Sequence, residues 1–147
     1  MDFYKNKVEN VKALENNEYK GIETPEELYR ALSDLWCAET CTERMRKDWT
    51  KENMTLGQCS ITSFIAQEIF GGKVYAIYLE NGLRHCYNVV GDAVFDLTSA
   101  QFKGEPLEYA IENEQFKEEH FKEPDKLERY KKLREMLLSS LNDRNGQ

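Results

Sequence analysis

Residues 57–96, GQCSITSFIAQEIFGGKVYAIYLENGLRHCYNVVGDAVFD, contain the pattern that decides the fold. The first part, from Gln58 to Phe70, is rich in apolar residues and has no charge before Glu68. It ends at Gly71-Gly72, and a run of this length stopped by glycine predicts a buried helix. After the glycines the sequence becomes rich in Val, Tyr and Ile, which favour strands. The stretch therefore predicts one buried helix that leads into a sheet.

Two turn signals divide the second part of this stretch into three strands. Residues 73–79 form the first strand, and Asn81-Gly82 is a strong hairpin signal before residues 83–90. Gly91-Asp92 marks a second tight turn before residues 93–97. The sequence therefore predicts a three-stranded antiparallel meander.

Helices are predicted on both sides of this unit. Thr24-Pro25-Glu26-Glu27 is a helix start, because Thr24 can cap, Pro25 suits the first helical position and Glu27 completes a capping box. A second amphipathic helix is predicted after Pro124. Its apolar positions are Leu127, Tyr130, Leu133, Leu137, Leu138 and Leu141.

Two further segments carry weaker patterns. Val8, Val11 and Leu14 have helical spacing within the polar residues 1–20, which indicates a loosely attached N-terminal helix. Residues 42–56 are charged without clear periodicity and read as a long connecting loop interrupted by Trp49.

The 147 residues are close to the commonest domain size, so we expect a single domain over residues 1–147. The order of elements is helix, loop, buried helix, antiparallel strands and helix. This order predicts an α+β fold, in which a small antiparallel sheet of about three or more strands carries helices on one face.

The charge composition limits the classes of partner. The chain has 27 Asp and Glu against 20 Lys and Arg, a formal net charge of −7, and the acidic residues are spread along it. Nucleic acid is therefore not an expected partner. The sequence contains neither an apolar run of about 18 residues nor a secretory signal pattern, so we expect a cytoplasmic protein without membrane association. The four cysteines are then expected as thiols, and no cofactor is expected.

Cys59 stands where the predicted helix begins. A cysteine acts as a nucleophile in its thiolate form, and a helix N-terminus favours that anion through free N–H groups and the helix dipole. The same N–H groups can stabilise the oxyanion of a tetrahedral intermediate. Cys59 is therefore the candidate nucleophile.

His85 and Asp96 are the candidate partners of Cys59. The other histidine, His120, lies in a charged segment and is expected at the solvated surface. If Gly91-Asp92 forms a two-residue turn, Tyr87 faces Asp96, and His85 and Asp96 become diagonal neighbours on one face of the sheet. Asp96 can then orient the imidazole, as the acid does in a nucleophile–base–acid triad.

Two other interpretations of these residues remain open. Free cysteine often packs as a small hydrophobe, and a strand histidine is often only hydrogen-bonded. The protein would then be a non-catalytic binding or regulatory module with a structural Cys, His and Asp cluster. In a third interpretation, Cys37 and Cys41 hold zinc together with His85 and either Cys59 or Cys86.

Six short motifs are spread along the chain: WCAETC at 36–41, WTKEN at 49–53, GQCSIT at 57–62, FGG at 70–72, HCYN at 85–88 and DLTSAQF at 96–102. Together they resemble the YunG-like family of small, uncharacterised bacterial proteins. The resemblance covers residues 28–141 and by itself implies no particular reaction.

The order of Cys, His and Asp, together with Gly57-Gln58-Cys59, also resembles the active-site pattern of transglutaminase and papain-like cysteine hydrolases. This shorter resemblance implies a papain- or transglutaminase-like core and an amide hydrolase or acyltransferase that acts on a small molecule or peptide. The sequence departs from the pattern at Met54, where a proline is usual, and at Cys86, where an aromatic residue is usual. The implied roles are nucleophile for Cys59, base for His85, orienting acid for Asp96, and supporting residues Gln58, Trp49 and Asn88.

Overall fold

The computed structural model describes residues 2–145, which form a five-stranded sheet and four α-helices. The strands are β1 (Tyr4–Asn6), β2 (Lys73–Tyr78), β3 (Arg84–Val90), β4 (Ala93–Asp96) and β5 (Glu114–Gln115). The helices are α1 (Pro25–Ser33), α2 (Cys59–Phe70), α3 (Lys117–His120) and α4 (Pro124–Asn145).

The sheet has the order β1-β4-β3-β2-β5, and every neighbouring pair is antiparallel. Its centre is the predicted meander, and Val90 faces Ala93 across the two-residue turn, as the sequence predicted. The α+β class is therefore confirmed. The edge strands β1 and β5 were not predicted, because segments of three and two residues are too short to show an alternating pattern.

Helix α2 lies against one face of the sheet. It begins at Cys59 and ends before Gly71, whose φ of 79° suits glycine. Phe64 packs with Val74 and Ala76 of β2, and Phe70 meets Phe95 of β4 edge to face. Burial of each such side chain contributes about 1.5–3 kcal/mol to stability, so this interface fixes the helix on the sheet.

Helices α1 and α4 complete the core around α2. The capping box of α1 is present as predicted, with the Glu27 N–H donating to Thr24 Oγ1 at 3.2 Å. In α4 the predicted apolar residues Leu133, Leu137 and Leu141 are buried. No helix within residues 2–145 is long and apolar enough to cross a membrane.

Residues 42–56 are more ordered than the predicted loop. They contain two 3₁₀-helices, Glu43–Asp48 and Lys51–Asn53, and a third, Ala38–Thr40, precedes them. Trp49 Nε1 donates to the Met54 carbonyl at 2.9 Å and ties this segment together. Such short helices show no long hydrophobic period, so the sequence pattern did not reveal them.

The predicted helix within residues 1–20 is wrong. This part forms β1 followed by turns, and positive φ angles at Lys7 (59°) and Asn16 (69°) are incompatible with a continuous right-handed helix. Phe3, Val11 and Tyr19 are nevertheless buried in the main hydrophobic cluster.

Candidate functional site

Cys59 is the first residue of α2 and lies beside an unpaired edge of β3. The β3–β4 ladder covers only residues 88–90 of β3, so the beginning of β3 has no partner from β4. Cys59 Sγ lies there, 3.9 Å from the carbonyl oxygen of Arg84. No side chain caps the helix at Gln58. The first N–H groups of α2 are therefore not engaged by a side-chain cap next to the thiol.

His85 and Asp96 form a buried hydrogen bond of 2.6 Å between Nε2 and Oδ2, and each residue is 1% exposed. The shared sheet face that the sequence predicted is therefore present. Tyr109 donates its hydroxyl to the same Asp96 oxygen at 2.8 Å, and the Thr98 N–H donates to the other oxygen at 3.1 Å. The ring of Phe102 packs edge-on against the imidazole, with centroids 4.6 Å apart. These contacts fix the position of the His85 ring.

The Cys59 thiol lies near the His85 imidazole. Both residues line one cavity, and Cys59 is among the causes that raise the pKa of His85. Asp96 binds the imidazole at Nε2, so the three side chains form one cluster.

The electrostatics favour an ion pair between Cys59 and His85. A hydrogen bond from the Cys86 thiol, opposed by burial and aided by His85, holds the pKa of Cys59 well below its usual range. Burial lowers the pKa of His85, but the charge and hydrogen bond of Asp96 and the contact with Cys59 outweigh it and raise the pKa to about 10. The Cys59 contact and burial raise the pKa of Cys86, which stays a neutral donor. Both shifts favour a thiolate at Cys59 and an imidazolium at His85.

Cys59 and His85 open on a cavity of about 420 Å³. This volume lies within the range of small-molecule sites in proteins. Several parts of the chain surround the cavity: residues 42–57, the start of α2, residues 79–86, residues 101–102, and residues 120–129 at the start of α4. Its lining includes Thr42, Arg44, Met45, Leu56, Ser60, Leu79, Leu83, Arg84, Gln101, Phe102, His120, Glu123, Lys126 and Arg129.

The three supporting residues suggested by the resemblance do not line this cavity. Gln58 Nε2 donates to the Cys37 carbonyl at 3.1 Å, and Asn88 Nδ2 donates to the Ser63 carbonyl at 2.9 Å. Trp49 donates to the Met54 carbonyl, as described above. All three side chains thus hold backbone segments near the site, and their N–H donors do not face Cys59.

Gly57 controls the close approach of two segments just before Cys59. It has a φ of 70°, and a Cβ placed on it would lie 2.5 Å from Cys41 Sγ. Its carbonyl accepts from the Thr42 N–H at 3.0 Å, and its own N–H donates to Gln101 at 3.4 Å. A side chain at this position would therefore separate the segments that border the cavity.

The prediction that His120 is a solvated surface residue is wrong. His120 is 3% exposed and packs against Phe64 with ring centroids 5.0 Å apart. Gln115 and Lys126 bind its two ring nitrogens. The charged neighbours of His120 in the sequence point outward from the short helix α3, so the local sequence suggested exposure.

The four cysteines are free thiols, and the ligand cluster of the zinc interpretation is not formed. Cys41 is fully buried, and Cys37 accepts a hydrogen bond from Thr40. Within residues 2–145 no group of three or more Cys, His, Asp or Glu side chains is placed to hold a metal ion.

Comparison with known proteins supports the sequence resemblance. Residues 24–142 match the family described as YunG protein, and this range contains Cys59, His85 and Asp96. The chain belongs to the YunG family. One family relative, the uncharacterized protein YunG of Bacillus subtilis (strain 168), is 34% identical over 94 residues, which cover 64% of this chain and 78% of the relative. No solved structure matches the chain.

Proposed function

We propose that this YunG-family protein is a cysteine-dependent amide hydrolase or acyltransferase. Cys59 is the nucleophile, His85 moves the proton and Asp96 orients His85. The observation that carries the proposal is the buried hydrogen bond between His85 and Asp96, with His85 and the Cys59 thiol on the same cavity.

In the first step the Cys59 thiolate attacks the carbonyl carbon of the substrate. The oxygen becomes an oxyanion, which the backbone N–H groups of Cys59 and Ser60 at the start of α2 stabilise. His85 gives the proton on Nδ1 to the leaving amine. The carbon–nitrogen bond then breaks and a thioester forms on Cys59.

In the second step water or another nucleophile attacks the thioester. His85, now neutral, takes the proton of the attacking group, and the carbon–sulfur bond breaks to restore the thiolate. Attack by water gives hydrolysis, whereas attack by an amine or alcohol gives acyl transfer. Asp96 keeps its charge in both steps and stabilises the imidazolium whenever it forms.

Two features favour this function over a purely structural cluster. A structural thiol is normally buried and neutral, whereas Cys59 is half-buried on the cavity and has a lowered pKa. In addition, the Asp96 carboxylate accepts from Tyr109 and Thr98, which fixes its orientation toward His85. A carboxylate fixed in this way holds the His85 ring in position, and His85 is the group that transfers the proton.

Alkylation by iodoacetamide tests the thiolate directly, with peptide mass spectrometry to report each cysteine. Cys37 is an internal control, because it is half-buried like Cys59 and lacks a histidine partner. At pH 6 we expect Cys59 to react about 10–100 times faster than Cys37, since the lowered pKa of Cys59 favours its thiolate. Equal rates would remove the basis of the proposal.

Acylation tests the covalent step. Incubation with p-nitrophenyl acetate should transfer one acetyl group to Cys59 and release p-nitrophenolate in a burst. The Cys59→Ala variant should show no burst while keeping the same thermal unfolding profile within a few degrees. A burst of equal size in this variant would assign the chemistry to another residue.

A further inference from the structure

We propose that the cavity beside Cys59 binds the carboxylate of its substrate through Arg84 and Lys126. This inference rests on the proposed function and adds a substrate class to it: amides or thioesters that carry a carboxylate close to the reacting carbonyl.

Arg84 and Lys126 are joined by a chain of neutral groups. Lys126 Nζ donates to His120 Nδ1 at 2.8 Å, and His120 Nε2 donates to Gln115 Oε1 at 2.8 Å. Arg84 Nη1 donates to the same Gln115 oxygen at 3.0 Å. Burial and the nearby Lys126 charge lower the pKa of His120 to about 4, so this histidine is neutral at pH 7. This series of hydrogen bonds therefore positions the Arg84 and Lys126 cations without neutralising their charges.

The acidic residues near the cavity leave this charge largely uncompensated. Glu123 Oε2 lies 3.8 Å from Lys126 Nζ, but its side chain is 64% exposed, and such pairs are weak. Asp125 instead pairs with Arg129 at 2.9 Å. The Arg84 guanidinium is hydrogen-bonded to the neutral amide of Gln115, although the whole chain has a net charge of −7. Cationic groups thus collect at one cavity of an acidic protein.

The position of these cations relative to Cys59 links them to the reaction. The Arg84 carbonyl is 3.9 Å from Cys59 Sγ, and the Arg84 and Lys126 side chains line the same cavity as the thiol. Burial lowers the pKa of Lys126, and a bound anion would relieve this cost of burying the ammonium. A substrate anion held there lies within a few bonds of the carbonyl that Cys59 attacks.

A carboxylate fits this place better than a phosphate. The Cys59 thiolate and Glu123 already contribute negative charge to the cavity wall, so a monoanion is repelled less than a dianion. A carboxylate also matches the planar donor fork of Arg84, of which only Nη1 is engaged by Gln115.

Paired alkylating reagents test the inference on the intact protein. Iodoacetate and iodoacetamide react with the same thiolate, and only iodoacetate carries a carboxylate. We expect the rate ratio of iodoacetate to iodoacetamide at Cys59 to exceed that of N-acetylcysteinamide by about fivefold or more, and to decrease with added salt. A ratio equal to that of the free thiol would overturn the inference.

Variants assign the effect to the two cations. Arg84→Gln combined with Lys126→Gln should return the ratio to the value of the free thiol. Control variants Arg30→Gln and Lys131→Gln remove the same charges from exposed positions outside the cavity and should leave the ratio raised. A raised ratio in the Arg84 and Lys126 double variant would contradict the inference.

The same experiment separates the two proposals. If iodoacetamide itself reacts with Cys59 no faster than with Cys37, both proposals fail. If iodoacetamide reacts fast and iodoacetate shows no preference, only the carboxylate site fails. In a competition arm at equal ionic strength, N-acetylglycine should slow iodoacetate more than inorganic phosphate does, and the reverse order would overturn the choice of a carboxylate.

Discussion

Asp96→Asn should abolish the low-pH reactivity of Cys59, because Asp96 holds His85 in its charged form. The pKa of His85 is raised from 6.5 to about 10, which corresponds to about 5 kcal/mol in favour of the imidazolium. Asparagine keeps the size of the side chain but removes the charge. If its NH₂ group took the place of Oδ2, it would face the His85 and Tyr109 donors and could not accept their hydrogen bonds. The thiolate then loses its charged partner, and the pKa of Cys59 rises by the part of its lowering that His85 supplies.

The pH profile of alkylation measures this change better than a single rate does. A thiolate of low pKa is intrinsically less nucleophilic, so absolute rates combine two opposing effects. In the unmodified protein the rate at Cys59 should be nearly constant from about pH 6 to 9. In Asp96→Asn it should decrease from pH 9 to pH 6, because the thiolate is protonated within this range once His85 has lost its charge.

Asp92→Asn is the matched control, because Asp92 is an exposed carboxylate in the turn between β3 and β4. Its profile should match that of the unmodified protein. Breaking a buried charge pair costs about 3–5 kcal/mol, so Asp96→Asn could unfold the protein. Circular dichroism of both variants therefore checks that they are folded. A folded Asp96→Asn protein with a flat profile would refute the role given to Asp96.

Two further predictions concern stability. The folded-state pKa of His120, about 4, lies below its ordinary 6.5, so the folded protein binds fewer protons between these values and loses stability as the pH falls through them. Between pH 6.5 and 4, urea unfolding should show a loss about 3 kcal/mol larger for the unmodified protein than for His120→Gln, and equal losses would contradict this linkage. Gly57→Ala should cost about 1–3 kcal/mol more than Gly82→Ala in the same assay, because both positions have positive φ but only Gly57 would place a Cβ against Cys41. Equal costs would show that Cys41 adapts to the added methyl group.

Local signals were sufficient to predict the centre of the fold. The apolar run ended by Gly71-Gly72 predicted α2, and the two turn dipeptides predicted the meander. The contact between His85 and Asp96 followed from the same reasoning, because a two-residue turn at Gly91-Asp92 fixes which strand residues face each other. This part of the site is encoded within a dozen residues.

The rest of the site depends on contacts between distant segments. Tyr109 reaches Asp96 from an irregular segment, and Lys126 reaches His120 from the next helix. No hydrophobic periodicity or sequence motif indicates such long-range contacts. The burial of His120 was missed for the same reason, since its neighbours along the chain are charged and the residues that bury it include Phe64 of α2.

The turn at Gly91-Asp92 also sets how this part of the gene can change in length. His85 and Asp96 are eleven positions apart, and their contact depends on the pairing register of the two strands between them. Inserting one residue into either strand would turn one of the two side chains to the opposite face of the sheet. The exposed turn itself has open space around Gly91. Additions and losses of residues are therefore expected to be tolerated only at the tip of the hairpin, outside the paired strand positions.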